Sequence, residues 1–330
     1  MTKLGLAASF FHTFGPAEYV ALAREAEQRG YDTIWTGEVT GPDAFTILTL
    51  VAANTTRLRL ATGVIPFQTR TPTVLAQTAA TLNHIAGGRF ALGLGVSSPV
   101  IVEQWNGLPY RRPLEQLREA VQIIRMTLAG ERVNFEGQHY RIRNLRLMSP
   151  PPPQPVRIYL GGLGPKTLEL AGEIADGVLL NWLGPEAVGA CLKHVEAGAR
   201  RAGRSLADFE TAAFIRTCVT DERDPARSLL ARDVTGYVTV DSYAQFFRTS
   251  GFGDEVEAAR AAWKAGDRAG AVARISPRFL DALGVVGPAD FCRHRIQEYA
   301  RAGLTMPVVF PVSPDPDPKP SLLATLRTFP

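Results

Sequence analysis

Cysteine is scarce in this chain. Only Cys191, Cys218 and Cys292 occur, far apart, with no Cys-x-x-Cys and no histidine pair beside any of them. That excludes a disulfide framework and a zinc site and leaves three small buried hydrophobes. Histidine is also sparse, five in 330 residues, and none are clustered with metal-ligand spacing, so no metal is expected. No window approaches the roughly 20 apolar residues of a membrane span. The excess positive charge is only +4, and Lys and Arg are scattered. A nucleic-acid partner would need a clustered basic stripe; a mildly basic surface suits an anionic small molecule better. The opening "MTKLGLAASFF" enters a strand-like run with no cationic leader ahead of a long apolar stretch. A cytoplasmic location is the expectation. There is also no Gly-x-Ser-x-Gly elbow and no converging carboxylate pair.

What is present is a regular alternation. Strand-like apolar runs occur at 4–9, 33–35, 57–64, 89–95, 156–161, 177–181, 210–219 and 306–312. Amphipathic segments lie between them at 17–30, 72–88, 112–130, 164–175 and 184–203, two of which begin Gly-Pro, suited to a first helical turn. Alternating β and α units argue for a parallel sheet. Eight such units argue for the α/β class and a (β/α)8 TIM barrel with insertions rather than an open sheet. Residues 1–330 are expected to form a single such domain. One insertion spans about 131–155, a hairpin followed by "PPPPQP"; a second, mostly helical, spans 221–287. Proline-rich 311–320 leads to a last helix near 321–328.

In such barrels the active site lies at the carboxyl ends of the strands. Those ends carry His12, Glu38, Gly63, Val64, Ser97, Ser98, Gly161, Gly162, Leu163, Gly164 and Asn181. The lining is small and apolar, with few ionisable groups, and suits a flat aromatic cofactor better than acid–base chemistry. "YLGGLGPKTLELAG" (159–172) places three glycines at the end of strand five, before a helix starting at Pro165. Glycine lets a phosphate approach unpaired N–H groups at a helix N-terminus, with Lys166 at the lip; a tight turn with glycines for geometry alone is the competing reading. "GLGVSS" (93–98) resembles a dinucleotide fingerprint but lacks its third glycine, and the next helix starts only near Pro113. Glu38 and His12 are the candidate catalytic residues, Glu38 being equally suited to holding neighbouring loops.

With "GYDTIWTGE" (30–38), "RLRLATGVIPFQTRTPTVLAQTAATL" (57–82), "GGRFALGLGVSSPVIVEQWNG" (87–107), "IYLGGLGPKTLELAGEIADGVLLNW" (158–182) and "GPADFCRHRIQEYARAGLTMPVVF" (287–310), the chain resembles the luciferase-like monooxygenase superfamily nearly end to end. Within it, the chain is similar to the branch that uses the deazaflavin coenzyme F420. The resemblance implies a bulge after strand three with a cis peptide at Gly63–Val64 backing the deazaflavin. It implies phosphate near Gly161–Gly164, Ser97 and Ser98 beside the ring or ribityl chain, and a homodimer. Members that oxidise sugar phosphates carry an Asp-His pair after strand two and a Glu in the strand-four loop. Glu38, Val39 and Ser98 stand there instead, so that reaction is not expected. The expected activity is F420-dependent hydride transfer between deazaflavin C5 and an activated C=C or C=O of a small organic substrate. The alternatives are an FMN-dependent monooxygenase fed by a separate flavin reductase, and a non-catalytic flavin-binding barrel.

Overall fold

The structure is a computed structural model describing residues 3–330. Eight parallel strands close on themselves: β1 (Gly5–Ala7), β2 (Thr33–Thr36), β3 (Arg59–Thr62), β4 (Phe90–Gly95), β5 (Arg157–Gly161), β6 (Gly177–Asn181), β7 (Glu210–Val219) and β8 (Met306–Pro311). Closure comes from β8 pairing β1 at Gly5↔Val308, and the chain is a (β/α)8 barrel. Helices α1 (Phe11–Arg29), α2 (Ala44–Ala52), α3 (Pro72–Ile85), α4 (Pro113–Leu128), α5 (Pro165–Ile174) and α6 (Pro185–Arg201) join the first seven strands. α1 begins at Phe11, ahead of the start expected at Ala17, because Gly15 takes a left-handed φ of 72° and lets two helical pieces join across a kink.

Two insertions interrupt the barrel where the chain pattern breaks. The first carries an antiparallel pair, Val133–Glu136 and Arg141–Leu145. The second builds α7 (Arg223–Val238), α8 (Asp241–Phe247), α9 (Gly253–Lys264), α10 (Arg268–Ala273) and α11 (Pro277–Leu283), then a short strand, Val285–Gly287, parallel to β7. α12 (Ala289–Arg301) and α13 (Lys319–Thr328) complete the outer ring.

Side chains on successive strand residues point to opposite faces. One set faces outward into a large helix–sheet core; the other fills the barrel with Ala7, Trp35, Ala61, Ala91, Tyr159, Leu179, Ala212, Phe214, Met306 and Val308. Alanines leave room for edge-to-face packing of Trp35 on Tyr159 (5.1 Å) and on Phe214 (6.3 Å). A separate core holds the second insertion together and includes Trp182, Cys218 and Val286, so this insertion is packed over the ends of β6 and β7.

An ionic cluster sits at the amino-terminal end of the barrel. Glu210 accepts from Lys3 (2.5 Å), both Arg59 Nη atoms and Tyr159, while Arg59 also donates to Asp32. This end carries stability rather than chemistry.

All three cysteines are buried and unpaired. Burial pushes the Cys191 and Cys218 thiols up to about 11 and the Cys292 thiol to about 12. Thiolate is the reactive form, so a native-state thiol titration is expected to label none of them within minutes, and all three after denaturation.

Candidate active site

After Thr62 the chain swings toward β4, and Ile65 and Pro66 resume pairing at Leu94 and Gly95 with one extra residue on the β3 side. The Gly63–Val64 peptide within this bulge is cis. Gly63 rests on the barrel filling: a Cβ there would meet Phe214 Cζ at 2.5 Å, Trp35 at 3.2 Å and Leu179 at 3.3 Å. Val64 turns toward β4 and β5. Its side chain occupies the space that a Cβ on Gly95 (2.6 Å) or Gly161 (3.0 Å) would need.

The glycines after β5 therefore divide. Gly161 is glycine to admit Val64, and Gly162 has Thr167 where its Cβ would stand (2.6 Å). Gly164 alone opens on free space. It is the N-cap of α5, whose start has no side-chain cap; Pro165 carries no N–H and the Thr167 N–H donates to the Gly164 carbonyl at 3.0 Å, which leaves the Lys166 N–H at the open turn with its exposed side chain beside it. Leu163 is buried in the helix–sheet core and contributes main chain only.

Glu38 does not stand free. Arg70 grips it in a two-pronged pair (Nη1–Oε1 2.5 Å, Nη2–Oε2 3.1 Å), the Ala44 N–H donates to it at 3.1 Å, and Arg70 also holds Asp43. The Arg70 guanidinium packs over Phe45. Hydrogen bonding to Glu38 pushes the Arg70 pKa up. The group ties the β2 loop, the start of α2 and the segment after the bulge together. It borders a cleft of about 290 Å³ that also touches Val39, Pro66, Thr69, Ile101 and Asn106. His12 lies exposed in the first turn of α1, edge-on to Phe11. Replacing Glu38 by Gln is expected to lower unfolding free energy by about 1–2 kcal/mol and to change kcat less than about threefold. A general acid would instead lose about 100-fold or more.

Ser97 adopts a left-handed φ of 58°, and its hydroxyl is buried without a partner. The Ser98 hydroxyl caps the following turn, accepting from Ile101 N–H at 3.4 Å. Asn181, at the end of β6, is engaged at both ends of its amide: Oδ1 accepts from Arg216 and Nδ2 donates to Tyr243 at 3.0 Å.

Arg216 is the residue sequence reasoning passed over. It follows the apolar stretch 212–215 inside "ETAAFIRTCV", whose only other charge is Glu210 at its first position, and a charge in the middle of a buried strand is the signal. β7 turns it inward above Phe214, 4% exposed, with its Cζ 4.0 Å from the Trp182 ring and 4.7 Å from that of Phe310. Asp233 of α7 lies 3.5 Å from Nε.

Among the described residues, six buried side-chain polar atoms have no partner. Four of them, on Gln68, Ser97, Trp182 and Arg216, belong to segments at the carboxyl end of the barrel. The apolar surface of Gly63, Val64, Leu179 and Phe214 and these unspent donors and acceptors lie at the same end of the barrel, which fits a planar, polar-edged cofactor: such groups are costly to bury unless something pairs with them. No three His, Cys, Asp or Glu side chains converge as a metal site requires, among the described residues.

The luciferase-like monooxygenase family model matches residues 2–306. The chain belongs to that family. A Mycobacterium tuberculosis protein named provisionally as a coenzyme F420-dependent oxidoreductase is 34% identical, the match covering 93% of this chain and 94% of that one. The 5,10-methylenetetrahydromethanopterin reductase of Archaeoglobus fulgidus is 32% identical over 90% of each chain. The solved structure of the coenzyme F420-dependent tetrahydromethanopterin reductase from Methanopyrus kandleri superposes with a TM-score of 0.83 at 25% identity, covering 99% of this chain and 98% of its own. No helix among the described residues is long and apolar enough to cross a membrane.

Proposed function

We propose that this protein is a coenzyme F420-dependent oxidoreductase that moves a hydride to or from an activated C=C or C=O of a small organic substrate. One observation carries the reading: the strand ends of a family barrel form an apolar surface with orphaned polar atoms at the same end, while the acid there, Glu38, is closed off by Arg70. Side chains arranged in this way orient and shelter a bound group; they do not supply the reaction's electrons. When bound, F420 supplies a two-electron hydride centre at C5 that reacts poorly with oxygen.

The Gly63–Val64 main chain would back the ring. Ser97 and Ser98 would lie along its edge or the ribityl chain, and the open start of α5 at Gly164 with Lys166 would receive the phosphate. Gly161 acts indirectly, by letting Val64 sit flat. The second insertion, packed over β6 and β7, would keep water from the reacting carbon. In the reduction direction the substrate carbon gains the hydride, and the atom at the other end of the double bond gains a proton from solvent.

Titrating the purified protein with F420 and with FMN, following cofactor fluorescence, tests this. Tight F420 binding and weak FMN binding are expected, followed by substrate-dependent oxidation of the reduced cofactor in stopped flow with enones and imines. Tight FMN binding with none for F420 would sink the proposal.

A further inference from the structure

We infer that Arg216 is a substrate-anchoring residue, and that the acceptor it selects carries a carboxylate conjugated to the reducible bond. The inference rests on the hydride-transfer reading for the reaction, and on the geometry of Arg216 alone for the anchor.

Height in the barrel comes first. Leu179 and Phe214 both lie against Gly63. Arg216 lies two residues beyond Phe214 on β7, so it faces inward again about 6.6 Å further along that strand, and Asn181, the register partner of Phe214, faces inward on β6. A planar group resting on Gly63–Val64 would therefore have the Arg216 guanidinium in the layer above it, where a substrate must lie.

The chemistry of that guanidinium is then narrowed group by group. Trp182 and Phe310 pack against it within 5 Å. Asn181, itself held by Tyr243, takes Nη1. The opposite edge, Nε and Nη2, makes no hydrogen bond among the described residues, and Nε is buried and orphaned. Two parallel N–H groups on one rigid edge match the two oxygens of a carboxylate and leave a donor idle against a single carbonyl. The aromatic surroundings of Arg216 suit a flat, conjugated body attached to that carboxylate.

Asp233 completes the argument. At 3.5 Å from Nε it is too far for a good hydrogen bond, and its side chain is 45% exposed. It balances the charge of the buried Arg216 without satisfying its donors. An incoming carboxylate can take the Nε–Nη2 edge while Asp233 turns to water, so Asp233 competes with the ligand rather than helping it.

Calorimetric titration of the protein with and without saturating F420, using cinnamate, benzoate and the uncharged cinnamamide, tests both residues with opposite signs. The wild-type protein is expected to bind cinnamate at least tenfold more tightly than cinnamamide. Arg216→Gln is expected to abolish that preference, Arg216→Lys to keep part of it, and Asp233→Asn to tighten cinnamate binding several-fold. Failure of the wild-type protein to bind either acid, an unchanged preference in Arg216→Gln, or weaker binding in Asp233→Asn would each overturn the inference. Because Asp233→Asn must gain affinity, misfolding cannot imitate the expected result. F420 titration of the same preparations separates the two ideas. F420 binding without acid selectivity removes the anchor alone; acid selectivity without F420 binding removes the cofactor assignment alone.

Discussion

Glu210→Gln is expected to lower the unfolding free energy by about 3 kcal/mol, measured by urea denaturation at pH 7. The Glu210 side chain is 8% exposed and lies among Lys3, Arg59 and Arg157, with the Tyr159 hydroxyl donating to it. Gln keeps the volume and an acceptor oxygen but removes the charge, so Lys3, Arg59 and Arg157, themselves 49%, 25% and 33% exposed, lose their shared anion. Removing one partner from a fully buried ionic cluster typically costs about 3–5 kcal/mol; here Arg59 keeps Asp32 and the cations are partly exposed, which places the loss at the lower end of that range. The pH dependence supplies a second reading. Burial alone would raise the Glu210 pKa, but hydrogen bonds from Lys3, Tyr159 and Arg59 outweigh it and hold the carboxyl at about 2, below its ordinary 4.5. A depressed native pKa gives stability that is fully present above the unfolded value and is lost as the native carboxyl protonates. The gap between wild type and variant should therefore hold above pH 5 and close as pH falls from about 4.5 toward 2. A gap that is flat across that range would show that packing, not charge, is responsible.

Gly93→Ala is expected to cost a similar amount, about 3 kcal/mol, and to weaken F420 binding at least tenfold in whatever folded protein remains. A Cβ at Gly93 would run into the Thr62 carbonyl and stand 3.1 Å from Val64 Cγ1. Thr62 cannot withdraw, because its hydroxyl stitches the two strands, accepting from the Gly93 N–H at 2.7 Å and donating to the Gly93 carbonyl at 2.9 Å. Overpacking against side chains costs about 1–3 kcal/mol, and backbone lies at the upper end since it has no rotamer to change. Gly164→Ala is the control: its Cβ meets nothing within 4 Å, so stability should be unchanged. Equal losses in both variants would mean that generic strand or turn entropy, not this contact, governs the effect.

The barrel was legible because its signal is repeated. Eight apolar runs of three to ten residues, with amphipathic stretches between them, carry one message, and a slip at one unit, such as the early start of α1 at Phe11, leaves the count intact. Several strand ends were marked by a change from apolar run to small residue, as at Gly63, Gly95 and Gly161. Which of the strand-end residues would be free was not legible. Glu38 read equally as a catalytic acid or a holder of loops and Asn181 as a cofactor contact; in the structure each is engaged by an arginine, Arg70 and Arg216.

The sequence by itself determined the (β/α)8 topology, the placement of the mouth and the family, because these follow from local periodicity and from motifs contiguous in the chain. Only the tertiary structure decided that Gly161 is small for the sake of Val64, that Glu38 is a latch, and that Arg216 points inward under a lid carrying Asp233 and Tyr243. The physical reason is common to all three. Strand alternation tells that neighbours face opposite ways, but only barrel closure and the docking of a distant insertion decide what each one meets.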